Sequence, residues 1–325
     1  MMQNLARKHA WTIGLALFLC LLLVSTKIIQ PDFGVSGLDS LSRAALPFAL
    51  ATLGMAIVVI SGGIDLSIAS IMAVTSVTGA VLMQGWGEAA TGLVIAFVLI
   101  LGFLMGTING ALIVLTRVPD IVVTLAMLFV WEGTAILILE SPGGAATPWL
   151  RDLIVGGVTV PGVPAGFTQW LPKSLVFLLC CFCVIWIPIR SSRLALMLYA
   201  IGSDQLAAFR SGVPVKRTRI LAYALAGLCA ALGGLSLTMS TGIGEPIPGP
   251  YLLAAVAAVV LGGISLTGGR GGLLGPVLAV FVLRLVRMDL TLMSVDPNVT
   301  SIIEGTIMVV VVMVGGLLAV KARRA

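Results

Sequence analysis

The chain has 325 residues, of which 59% are hydrophobic and only 10% charged, with a formal net charge of +6 and a mean hydropathy of +1.16. Soluble domains carry roughly 25% charged residues, so a water-facing surface cannot be built from this chain. The basic balance then reads as loop charge at one membrane face and not as a nucleic-acid footprint.

The apolar runs are continuous rather than alternating, which selects helices over a β-barrel as the way to satisfy the backbone in lipid. The expected architecture is an all-α polytopic bundle of about ten spans, forming one domain over 1–325. Arg7, Lys8 and His9 precede an apolar run from Ala10 to Val24. Ser25-Thr26-Lys27-Ile28-Ile29 offers no small-x-small cleavage site, so the segment reads as an uncleaved first span, 11–29. The next spans, 44–61 and 65–83, flank Gly62-Gly63-Ile64-Asp65-Leu66-Ser67. Paired glycines break a helix. Asp65 is placed to cap a helix starting at Leu66. A carboxylate in an apolar stretch is also a candidate for the solute path, so a structural cap and a direct role both stand.

Span 89–115 holds Asn109 between Gly106 and Gly110, where small residues let helices close up. Asn109 can bond a neighbouring helix or line the path. Span 121–139 carries Glu132, which is expected to face the interior or water. The external loop 140–172 is rich in Gly and Pro and reads as irregular. Span 173–189 contains Cys180, Cys181 and Cys183; with Cys20 and Cys229, these thiols read as small apolar packing groups.

The internal loop 190–219 is basic and well punctuated. Ser203 reads as an N-cap, Asp204 and Arg210 suit the first and last turns, Gly212 ends the helix and Pro214 stops its resumption. A helix of about eight residues follows, with Leu206, Phe209 and Arg210 on one face. It is either a knob that receives force from a partner or an ordinary connecting helix. Spans 220–240, 251–267, 273–288 and 299–319 complete the set, the last with Glu304. Val59–Ser67 aligns without gaps to 259–267, so Gly262 and Gly263 repeat Gly62 and Gly63 as candidate breaks along the path.

Thirteen of the 19 Lys and Arg residues fall on the side shared by both termini, which places the termini in the cytoplasm. Gly268-Gly269-Arg270-Gly271-Gly272 lacks the Lys-Ser/Thr of a phosphate-binding loop, so ATP hydrolysis is not expected in this chain. His9 is the only histidine, which argues against a Ser–His dyad or a His-ligated metal inside the membrane.

Gly62-Gly63-Ile64-Asp65-Leu66-Ser67 through Ser70 resembles the signature of ribose/xylose/arabinose-type ABC transporter permeases. Tyr199-Ala200-Ile201-Gly202 through Lys216-Arg217 is similar to that family's coupling segment, and Tyr223–Leu228 and Ala257–Gly263 match as well. The resemblance covers about 40–320. It implies pairing with a second permease, two cytoplasmic ATP-binding domains that carry ATP and Mg, and a periplasmic solute-binding protein. It also implies residence in a bacterial inner membrane and a coupling role for 203–212. Relatives often carry Glu-Leu-Asp-Ala where Leu252-Leu253-Ala254-Ala255 stands here, a departure that would suit a heterodimer. The function expected is the permease subunit of an ATP-driven importer for a sugar-like solute. A secondary transporter using Asp65, a passive channel and a membrane scaffold are the rivals.

Overall fold

The computed structural model describes residues 2–159, 162, 164–247, 249 and 251–324. Val160, Pro161 and Val163 of the long loop lie outside the described residues, as do the side chains of Arg7, Lys8, His9, Lys321, Arg323 and Arg324.

The chain folds into α1 Met2–Ile29, α2 Val35–Ile60, α3 Ile68–Trp86, α4 Thr91–Thr116 after a 3₁₀ turn, and α5 Asp120–Ile138. Two short helices follow in the long loop, α6 Pro148–Asp152 and α7 Ala165–Thr168. The second half comprises α8 Lys173–Ser191, α9 Arg193–Ser203, α10 Gln205–Arg210, α11 Val215–Thr241, α12 Tyr251–Leu261, α13 Leu274–Leu292 and α14 Pro297–Arg324. Among the described residues no strand forms; Gly143–Gly244 and Gly157–Pro172 make isolated bridges only.

A helix lies on each of the ten expected apolar segments. Seven of these helices (α1, α2, α3, α4, α5, α8 and α11) are long and apolar enough to cross a membrane. The other three differ in kind. α12 has 11 residues and stops at Gly262-Gly263, short of 267. α13 carries Arg284, Arg287 and Asp289, and the apolar stretch described in α14 is Pro297–Val311.

Burial is graded as a bilayer demands. α2, α3 and α11 form the centre, while α1, α5 and α8 turn most of their apolar side chains outward. Leu137 is 89% exposed and Leu115 78%, apolar surface that suits lipid rather than water. Helices in lipid gain nothing by hiding leucine from each other, so close packing of small residues must hold them. The α4–α11 contact shows this: Gly102, Gly106 and Gly110 sit one turn apart, facing Gly227, Ala231 and Tyr223. A Cβ at Gly106 would collide with the Tyr223 carbonyl, and one at Gly227 with the Gly102 carbonyl.

The contacts define two ends. At one, Gly62, Gly202 and Gly268 meet, α5 begins beside α11, and Arg117, Arg190, Arg210, Lys216, Arg217 and Arg270 gather in the adjoining turns; this is the basic end. At the other, the loop after α5 is stitched to α2, α3 and α11 by Gly156 N–H to Asp39 Oδ1 (3.1 Å), Ala145 N–H to the Ala80 carbonyl (3.2 Å) and Ala146 N–H to the Gly242 carbonyl (2.9 Å). This is the loop end.

Gly106→Leu should separate α4 from α11. Overpacking a tight core costs about 1–3 kcal/mol or more, so the melting temperature in detergent should fall by several degrees and the monodisperse yield should drop. An unchanged melting temperature would show that this contact is not close-packed.

Candidate functional site

The α2–α3 turn closes as a Schellman motif. Gly62 takes φ +84°, its N–H donates to the Val59 carbonyl (2.9 Å), and Gly63 N–H donates to the Val58 carbonyl (3.1 Å). The last carbonyls of α2 are thereby satisfied without water. Gly63 serves a second need, since a Cβ there would lie 2.6 Å from both Asp120 Oδ2 and the Tyr223 hydroxyl.

Asp65 does not cap a helix starting at Leu66. α3 starts at Ile68 with Ser67 at the N-cap position, and Asp65 closes the turn before it. Its Oδ1 accepts from the Ser67 amide (2.9 Å) and the Ser67 hydroxyl (2.6 Å). Leu66 lies inside this side-chain-closed turn and is not helical. Asn109 Nδ2 donates to Ser67 Oγ (2.6 Å), and Trp131 Nε1 donates to Asn109 Oδ1 (3.2 Å). Asp65, Ser67 and Asn109 are all fully buried. Asp65 Oδ2 has no hydrogen-bond partner. Burial lifts this carboxyl, which lies between the two helices, to about 6, while the bonds from Ser67 oppose the rise.

Sequence reasoning missed the neighbouring cluster. Arg219 Nη2 forms an ion pair with Asp120 and donates to its Oδ1 (2.6 Å), and the Tyr223 hydroxyl donates to Asp120 Oδ2 (2.7 Å). Pro119 stands at the N-cap position and Asp120 opens α5, a helix-start pattern visible in the sequence. Arg219 had the appearance of one more loop charge. Glu132 is half-buried on α5, and Glu304 pairs with Arg287 (2.9 Å) at the α13–α14 contact, away from this cluster.

The α12 end repeats the closure of α2. Gly263 takes φ +86°, its N–H donates to the Val260 carbonyl (2.9 Å), and Ile264 N–H donates to the Val259 carbonyl (3.1 Å). The left-handed residue is the first glycine of the earlier pair and the second of the later one, so the geometry aligns at an offset of 201, one more than the gapless match. Gly262 is the close-approach residue, lying against Gly275 and Pro276 of α13.

Both turns reach α9. Gly269 N–H donates to the Ile60 carbonyl (2.9 Å), and Tyr199 hydroxyl donates to the Gly271 carbonyl (2.6 Å). Gly202 lies between them: a Cβ there would strike the Ile60 carbonyl and the Gly269 nitrogen.

α10 follows directly. Its N-cap is Asp204, not Ser203; Asp204 Oδ1 accepts from Leu206 N–H and Ala207 N–H (2.9 Å each). Ser203 is the last residue of α9, and its hydroxyl turns back to the Tyr199 carbonyl (2.8 Å). Ser203 is spent on the end of α9, which leaves Asp204 to accept from the next helix's amides. α10 therefore has six residues, not eight. Gly212 takes φ +82°, and Gly212 N–H and Val213 N–H close a third Schellman motif onto Phe209 and Ala208. Ala208 is buried while Leu206 (58% exposed), Phe209 (67%) and Arg210 project outward from the basic end.

Asp120→Ala would leave Arg219 mostly buried without a counter-ion, at a cost of about 3–5 kcal/mol. Asp120→Ala with Arg219→Leu replaces the pair by apolar groups and should recover much of that loss in thermal melting. A double variant no more stable than the single one would show that the pair is not coupled.

The sequence model of a family described as "Branched-chain amino acid transport system / permease component" matches residues 37–312. The Autoinducer 2 import system permease protein LsrD of Escherichia coli O157:H7 is 30% identical over 321 residues, covering 94% of this chain and 92% of that protein. The same-named proteins of Escherichia coli K12 and Shigella flexneri match to the same extent. No solved structure matches the chain. The chain is thus a multi-pass membrane protein and, with most of its length matched to one family, belongs to the ABC-transporter permeases that include the ribose/xylose/arabinose type.

Proposed function

We propose that this chain is the inner-membrane permease subunit of an ATP-driven, binding-protein-dependent importer for a sugar or sugar-like solute. The observation that carries this reading is α10: a helix capped at both ends, with two large apolar side chains and an arginine projecting from the basic end. Such a surface is costly to leave in water and suits docking on a cytosolic domain. The relatives' names speak of import, and the resemblance to sugar-type permeases speaks for a sugar-like solute.

In this reading all ten helical segments cross, with both termini and α10 in the cytoplasm, and the two Gly-Gly turns are copies of one unit. ATP and Mg bind on two partner domains. A second permease, identical or different, completes the path, and a periplasmic binding protein delivers the solute at the loop end. Residues 204–212 receive the motion of the partner domains. Gly202, held against Ile60 and Gly269, passes it to the turns at Gly62-Gly63 and Gly262-Gly263. Asp65, Ser67 and Asn109 set the shape of the first turn beside the path.

A second reading has one specific observation in its favour. Asp65 Oδ2 is buried without a hydrogen-bond partner, as the ion site of a secondary transporter would need. Asp65→Asn keeps an acceptor for Ser67 and should preserve ATP-driven uptake. Loss of uptake with normal yield and normal partner ATPase would favour ion coupling. Asp65→Ala removes the acceptor and should lower yield or transport.

Gly212→Val forces a β-branched residue into left-handed backbone, at a cost of about 1–2 kcal/mol or more. It should distort the end of α10 so that partner ATPase continues while uptake falls. Uptake and hydrolysis that stay tightly linked in this variant would rule out α10 as the coupling element.

A further inference from the structure

A second polar cluster lies far from the turns, in the half of α13 toward the loop end. Arg284 of α13 packs its guanidinium 5.0 Å from the ring centre of Phe48 on α2 and 5.4 Å from that of Tyr251 on α12. The two rings are 6.1 Å apart. Arg284 Nε is out of reach of solvent and makes no hydrogen bond. One helical turn on, Arg287 spends its charge on Glu304 of α14. Phe48, Ala254, Leu283, Arg284, Arg287, Glu304 and Met308 surround a cavity of about 20 Å³, room for about one water.

Among the residues lining the cavity, two guanidinium groups, Arg284 and Arg287, stand against one carboxylate, Glu304, while Glu245 acts from the far side of Tyr251. Aromatic faces attract a cation only weakly, by about 2 kcal/mol when desolvated. A buried donor without an acceptor is a standing cost. An arginine with an orphan Nε–H, the Tyr251 hydroxyl beside it, two aromatic walls and a cavity at its head is arranged to take an oxygen acceptor from outside the chain.

We propose that Arg284, Phe48 and Tyr251 form a subsite for an oxygen-bearing group of the passing solute, a carboxylate or a hydroxyl cluster, and that cationic solutes are rejected there. The proposal rests on the importer reading for the identity of its occupant and refines the class of solute. The pocket is closed in this state, and α14, which supplies Glu304 and Met308, is the wall whose retreat would enlarge it. Arg284 donates to the incoming oxygen, while the rings shield the contact and offer flat apolar surface to a sugar ring.

The test uses the full-length chain with its five cysteines replaced by alanine and Met308→Cys added, in phosphatidylcholine vesicles. Met308 lines the cavity and is partly exposed. Two thiol reagents of similar size are compared, 2-sulfonatoethyl methanethiosulfonate and its trimethylammonium counterpart. The sulfonate should react about tenfold faster, since a fixed charge in a low-dielectric cleft concentrates counter-ions by that order. Arg284→Gln should erase the preference and Arg284→Lys should keep it. If Arg284→Gln fails to fold, Glu304→Gln serves instead, because it removes the carboxylate that lines the cavity and should widen the preference.

Equal rates, no reaction with either reagent, or a preference that survives Arg284→Gln would overturn the proposal. Suppression of the sulfonate reaction by phosphatidylglycerol in the vesicles would assign the pocket to lipid phosphate and would also overturn it. The labelling needs neither ATPase nor binding protein, so its failure leaves the importer reading standing, and failure of ATP dependence leaves the subsite standing.

Discussion

A helix end must satisfy its last carbonyls, and among the described residues this chain repeatedly does so with a glycine in left-handed backbone. Gly62, Gly263 and Gly212 close α2, α12 and α10 onto their own final turns. No L-residue takes that backbone cheaply. The closures let the chain reverse sharply at the basic end, and the glycines beside them, Gly63, Gly202, Gly262 and Gly268, let backbone meet backbone and polar side chains there. Everything proposed about force transfer depends on that close meeting.

In the proposed reading, the same junction links the surface helix to the path. α10 is joined to α9 through Asp204 and to α11 through Pro214. Within the first turns of α11, Arg219 and Tyr223 hold Asp120 of α5 beside Gly63. On the other side, Gly202 of α9 lies between α2 and the second glycine turn. A push on α10 therefore meets two rigid connections, one an ion pair and one a packed glycine contact. Interiors packed to this density shift between discrete arrangements instead of yielding gradually.

Much of the fold was readable because its signals are local. Runs such as 89–115 and 220–240 are apolar over about a bilayer's thickness or more, and a helix forms on each. The glycine breaks and the Asp204–Gly212 helix were legible for the same reason, since capping is set by neighbours in sequence. What failed was register. Ser203 and Asp204 both cap well, and only their competition for one set of amides decides for Asp204. Asp65 looked like an N-cap because a carboxylate before an apolar run usually is one; it does accept from the Ser67 amide, but in the turn just before α3 and with the Ser67 hydroxyl on the same oxygen. The Asp120–Arg219–Tyr223 cluster spans about a hundred residues of sequence, and long-range pairing leaves no periodic trace. The aromatic setting of Arg284 escaped for a similar reason, because its walls come from α2 and α12.

The central claim is that this chain supplies a path and a lever but no motor. The most direct measurement is solute flux into sealed proteoliposomes containing this chain with its partner permease, ATP-binding subunits and binding protein, against liposomes lacking only the ATP-binding subunits. The account predicts concentrative uptake that requires ATP in the complete assembly and none in the depleted one. Accumulation against a gradient without the ATP-binding subunits would contradict it.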